Sequence, residues 1–569
     1  MTAKIRLLPC LLFVLSLCLT GAKRPNVLII TASNLGFSDL GCYGGEIKTP
    51  VLDRLAGDGM QLTQFYTCGE SARTQTALMT GQYPHRVGMG IPMTDLKWDS
   101  YRGSINDSAA TLGELFRSFD YHTFAVGKWS FAKDYKYTQH RFAWPTNRGF
   151  EKFFGTILTQ TSYFEPKYLL MNASKFAVAE DFYYSTAIAK EAIRFLEDSE
   201  MSKKPFFLYV AFTAPAWPLH APAADLQTYR GKYVRGWDSI REARFDALKS
   251  RSLIFSRTEL SPRDKRVVSW NRIGSYAEWQ ARRMEAYAAQ VTAMDRSIGL
   301  ILNHLRKTGQ FSNTLIVFLS DSGANAEELS ESSTQDSPFI SSTLSDKSPV
   351  LIGNTPQAKP GTVATFQSYG VPWANVSNTP FRGYAKTLYE GGLRAPCILS
   401  WGENIAVGKL NVPIHVIDLY PTIVAATDNR MPNKIHGKPI LEPVGKSFCD
   451  LFLLETRLHA DEGETRRNYD RFFFWECDGH QSVRHGKWKL IQNRGSDYWE
   501  LYNLVTDPTE QHDVYSKDYH RPEIQTMFTE LERWKTKNHV YEWEQVRKQY
   551  IKVLKKEEEE RARAQKRGN

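Results

Sequence analysis

After its first two dozen residues this chain has no apolar run long enough to cross a bilayer, so no membrane span is expected. Cysteine is scarce, seven in 569 residues, and no two form a C-x-x-C pair, which argues against a structural zinc site. No internal repeat marks a solenoid, and no recognition module marks a nucleic-acid binder. The formal net charge is +10, but Lys and Arg are dispersed along the chain. Charge therefore favours anionic partners only by long-range steering.

What is present begins with MTAKIRLLPCLLFVLSLCLTGA. Lys4 and Arg6 precede an apolar run from Leu7 to Leu19, and Thr20-Gly21-Ala22 supplies the small residues of a cleavage site. This reads as a secretory signal, and the expected location is secreted or periplasmic. Cys10 and Cys18 would leave with it. Cys42, Cys68, Cys397, Cys449 and Cys477 remain, an odd and scattered set whose pairing is open.

PNVLIITAS, FFLYVAF and TLIVFLSDSG are short and continuously apolar, as strands buried on both faces require. Helical patterns lie between them, which argues a mostly parallel sheet covered on both sides. Working residues in such folds sit on loops at the carboxyl ends of strands, and Asn34 and Asp321 each follow a strand directly. The segment 229–271 reads as a charged, irregular surface excursion, and SESSTQDSPFISSTLSDKSP as a Ser-rich loop. After about residue 430, RRNYDRFFFWECDG, QSVRHGKWKLIQN and WELYNL read as antiparallel strands, followed by a helix near Pro522 to Lys537. The expected organisation is a signal over 1–22, an α/β domain over 23–430, a C-terminal subdomain over 431–545 and a charged tail over 546–569, read as a solvated helix or frayed end.

RPNVLIITASNLGFSDLGCYGG, KTPVLDRLAGDGMQLTQFYT, ALMTGQYPHRVGM, VGKWS, PFFLYVAFTAP, NTLIVFLSDSG, LYEGGLRAPCILSW and HGKWKLIQ resemble, in order, motifs of the sulfatase family. The likeness runs from about Arg24 to Leu531 and is closest to secreted bacterial arylsulfatases. It implies an α/β fold of the alkaline-phosphatase type, a large mostly parallel or mixed sheet flanked by helices, plus a small α+β domain with an antiparallel sheet. It implies hydrolysis of sulfate esters, with a formylglycine as nucleophile and a calcium ion as Lewis acid.

The resemblance also fixes positions. The nucleophile's seat, ten residues before Gly81, is Ser71; Arg73 stands at the Pro position and Gln75 at the Arg position. Cys68 lies three residues early and reads as structural. Lys128 is retained within Gly-Lys-Trp-Ser, whereas Ser130 and Ala216 occupy two His positions, and His220 reads as part of a turn. Ser33, Asn34, Asp321 and Ser322 hold the metal-ligand positions with one carboxylate among them, so a weak or empty calcium site is expected. Lys386 falls one place beyond the family lysine. Formylglycine is not expected. The sequence thus points to a pseudo-sulfatase, with Lys128, Lys386 and Arg73 forming a positive pocket for a sulfated polysaccharide or aryl sulfate. The alternative is an active arylsulfatase with a Ser71-derived or relocated nucleophile.

Overall fold

The computed structural model describes residues 24–133, 141–157, 160–200, 202–330, 340–453 and 471–567. The leader expected over 1–22 and about half of the Ser-rich loop lie outside them.

A ten-stranded mixed sheet organises the chain. Five central strands are parallel, in the order Thr314–Ser320, Asn26–Ala32, Phe206–Ala211, His122–Lys128 and Lys152–Thr156. Cys397–Ser400 joins antiparallel to Thr314–Ser320, so the sheet is mixed. The apolar run NVLIITA is fully buried, and its alternation serves two cores. Val27 and Ile29 face one hydrophobic cluster, and Leu28 and Ile30 face the other. The first cluster includes the helix Ser71–Thr80, and the second the 31-residue helix Ala277–Lys307. A continuous apolar run is what a strand covered on both sides requires.

A second sheet of four antiparallel strands, Phe473–Cys477, His480–His485, Trp488–Gln492 and Trp499–Asn503, follows near the C-terminus. The helix Pro522–Lys537 follows this sheet, beginning with Pro at its first turn, as expected. The indole of Trp475 donates to Thr67 O at 2.8 Å and docks this sheet beside the segment leading to Ser71.

Two expectations change. The supposed irregular excursion contains a 15-residue helix, Gly236–Ser250, with Trp237, Ile240, Arg241 and Arg244 buried. Arg244 ion-pairs with Asp39 and Glu46, which is how a charged segment comes to lie inside. The charged tail is helical, within Trp543–Arg567, but the first turns of that helix are packed rather than solvated. Val546, with Tyr550 and Val553, covers Ile91, Leu96 and Tyr101.

Candidate active site

Three parallel strands deliver the site at their carboxyl ends. Ser33 and Asn34 follow Asn26–Ala32, Lys128 ends His122–Lys128, and Asp321 and Ser322 follow Thr314–Ser320. Gly127 precedes Lys128 with φ +100°, and a Cβ there would sit 1.9 Å from Ala211 O. Only glycine allows the neighbouring strand to approach so closely.

Ser71 opens the helix Ser71–Thr80. Glu70 caps it by accepting from Arg73 N at 3.0 Å, and Gly81 ends it with φ 65°. Residues i and i+4 share a helix face, so Ser71 and Gln75 both reach the strand ends. Ser71 Oγ donates to Asp321 Oδ2 at 2.7 Å, and Gln75 Nε2 donates to the same oxygen at 2.8 Å. Lys128 Nζ donates to Ser33 Oγ at 2.6 Å, to Ser71 Oγ at 2.6 Å and to Asp321 Oδ2 at 2.8 Å. Asn34, in the left-handed region with φ 60°, gives its N–H to Asp321 Oδ1 at 3.1 Å and its amide to Ser322 Oγ at 2.6 Å. The side chains of Lys128 and Asp321 have no exposed surface. Six residues expected at the site, Ser33, Asn34, Ser71, Gln75, Lys128 and Asp321, therefore form one hydrogen-bonded network, with Ser322 attached through Asn34 and Gln75 Oε1 left without a partner among the described residues.

The other candidates stand apart from it. Ser130 is buried, and its hydroxyl has no hydrogen-bond partner among the described residues. Ala216 is buried, and its carbonyl accepts from Tyr163 OH at 2.8 Å. His220 accepts from Tyr163 N at 3.3 Å and donates from Nε2 to Thr365 O at 2.6 Å, and burial pushes it down to about 4. Cys68 is buried, which raises its pKa, and among the described residues none of Cys42, Cys68, Cys397, Cys449 and Cys477 forms a disulfide.

Arg73 does not join Lys128 in a positive pocket. Two residues along a helix point to a different face. Its guanidinium turns to the C-terminal sheet, bonding Gly90 O at 2.6 Å and Asp478 Oδ1 at 2.7 Å. Burial alone would raise the Asp478 carboxyl, but Arg73 outweighs it and holds that group below its ordinary value. Lys386, with φ 71°, is an exposed residue pinned by its N–H to Gly69 O at 2.6 Å.

Lys386 and Arg73 instead line a crevice of about 350 Å³ with Glu70, Asp478, Arg494, Trp543, Arg547 and Tyr550. Four basic residues face two acidic ones. The Arg494 guanidinium lies 5.7 Å from the centre of the Trp543 ring. Sequence reasoning missed Arg494 and the helix residues, although Trp543 and Tyr550 stand out within the charged run.

A mixed sheet between helices, with polar residues gathered at its carboxyl edge and a small antiparallel sheet beside it, defines an alkaline-phosphatase-like protein. The sulfatase family profile matches residues 25–429, and the profile described as N-sulphoglucosamine sulphohydrolase, C-terminal, matches residues 383–537. The chain belongs to the sulfatase family. It is 31% identical to an uncharacterized sulfatase of Schizosaccharomyces pombe over 86% of this chain and 90% of the relative. It is also 31% identical to an arylsulfatase of Klebsiella aerogenes, over 75% of this chain and 91% of that one. Among solved structures, Ps i-CgsB in complex with k-i-k-neocarrahexaose is similar at a TM-score of 0.61 and 23% identity, covering 90% of this chain and 93% of that one.

Proposed function

We propose that this protein is a secreted pseudo-sulfatase that holds a sulfated saccharide or aryl sulfate without hydrolysing it. The observation that carries this reading is the hydrogen-bonded network around Asp321. Ser71 spends its only proton on Asp321 and accepts from Lys128, so its oxygen is committed on both sides. Lys128 Nζ is held by Asp321 Oδ2 at 2.8 Å and reaches Ser71 Oγ as a donor, the direction opposite to that of a general base.

The family generally depends on calcium, and the donors here do not fit that ion. Calcium takes six to eight oxygen ligands, several of them charged. Here Asp321 is the one carboxylate, Oδ2 already accepts three bonds, and an ammonium lies where a dication would be repelled. The crevice supplies the binding half of the proposal. Lys386, Arg494 and Arg547 suit sulfate groups, and the Trp543 and Tyr550 rings suit sugar faces.

Mass spectrometry of the peptide holding Cys68 and Ser71 is expected to show no formylglycine, and nitrophenyl sulfate to remain intact. Calorimetry is expected to show binding of a sulfated oligosaccharide but not its desulfated form, weakened about tenfold by Arg547→Ala. Equal binding of both forms would overturn the sulfate-holding part. An active sulfuric ester hydrolase is the second reading, favoured by the 31% identity to the Klebsiella aerogenes arylsulfatase over 75% of this chain. Calcium-dependent turnover abolished by Ser71→Ala would establish it.

A further inference from the structure

We infer that the Lys128 ammonium takes the structural place of a metal ion, making this a cation site supplied by the chain itself and complete without metal. An ammonium has three protons, and Lys128 Nζ has three acceptors, Ser33 Oγ, Ser71 Oγ and Asp321 Oδ2, between 2.6 and 2.8 Å away. These acceptors come from two strand ends and a helix start that are distant in sequence. A cation joining them ties the carboxyl edge of the sheet to the Ser71–Thr80 helix.

The bonding is also balanced in direction. Ser71 Oγ receives from Lys128 and gives to Asp321. Asp321 receives from Lys128, Ser71 and Gln75 on one oxygen and from Asn34 N on the other. One positive and one negative charge meet, both without exposed surface. A divalent ion beside this single carboxylate would leave a net positive charge in a buried volume even if it displaced the lysine. This inference concerns the network and does not depend on whether a saccharide enters the crevice.

The test is thermal unfolding of the purified protein with excess EDTA and with millimolar calcium, alongside metal analysis by mass spectrometry. A metal held far above its Kd would raise Tm by several degrees, because it binds only the folded state. The expected result is a Tm unchanged within a degree, about the precision of the comparison, and no stoichiometric calcium. Bound calcium with a Tm lowered by EDTA would overturn the inference.

Lys128→Ala removes the equivalent of a propylammonium ion. Its Tm is expected to fall, and millimolar propylammonium chloride to restore part of the loss, whereas propanol at matched ionic strength does not. A Lys128→Ala protein as stable as the parent, or one rescued equally by propanol, would overturn the inference. Should Lys128→Ala not fold, Lys128→Met keeps the length without the charge, and parental stability in that variant would overturn it as well.

Discussion

At the scale of single residues the Lys128–Asp321 pair sets the character of the site. Two charges without exposed surface gain little net stability from pairing, because each has lost its hydration. Removing one alone is different, since the other is left buried and unpaired. Asp321→Asn is expected to cost about 3–5 kcal/mol, read as a lower urea midpoint. Adding Lys128→Met should recover part of that loss, and strictly additive costs would show that the two charges are uncoupled. The seats of these residues were legible in the sequence because Gly81, the strand ends and the Gly-Lys-Trp motif fix the register. The bonds among them were not, since a hydroxyl or amide at a ligand position can turn towards a metal or a lysine. Arg73 shows the cost of reading spacing without direction. The i, i+4 relation of Ser71 and Gln75 already set Arg73 on another face, and its partner Asp478 lies 405 residues away.

At the scale of elements, the antiparallel sheet docks on the larger one through a buried polar seam. Lys489, on the strand Trp488–Gln492, donates to Glu390 and Glu510 at 2.8 Å each. Glu390 also accepts from Tyr66 OH at 2.7 Å, and Arg484 donates to that same hydroxyl. Lys489→Met would leave two carboxylates facing each other without their shared cation. A loss of about 3–5 kcal/mol is expected, with near-ultraviolet signal from Trp475 lost at lower urea than the helical signal. Coincident transitions would mean that the seam does not separate a unit of its own. The buried strands were readable from their apolar runs, and the Pro522–Lys537 helix from its start and period. The Gly236–Ser250 helix was not, because Arg241 and Arg244 look like surface residues until their buried partners are known. The C-terminal run failed for a related reason. Its charge was easily read as solvation, while Val546 and Tyr550 bind it to the Ile91–Tyr101 loop.

At the scale of the whole molecule, buried titratable groups far apart in the sequence couple stability to pH, and in opposite senses. Burial pushes His415 down to about 3, helped by Arg471, and burial pushes His220 down to about 4. Their unfolded value is near 6.5, so between these limits the unfolded chain binds more protons. That part of the stability is present at neutral pH and is lost as pH falls below about 6.5. Asp295 works the other way. Burial pushes it up to about 7, so it takes a proton on folding, and its contribution declines as pH rises from about 4 towards 7. The bulk pH profile therefore mixes both signs, and a difference measurement separates them. His415 caps a short helix by accepting from Ile417 N at 3.3 Å, a bond that asparagine can reproduce. At pH 7 His415→Asn should be less stable than the parent, because the ring stacked on Phe473 is gone. At pH 5 the parent alone carries the cost of a histidine it must keep neutral, about 2 kcal/mol for a pKa held this far down. The deficit of the variant in urea unfolding should therefore shrink by about that amount between pH 7 and pH 5. A deficit that stays constant across the range would mean that His415 accepts its proton inside the folded protein.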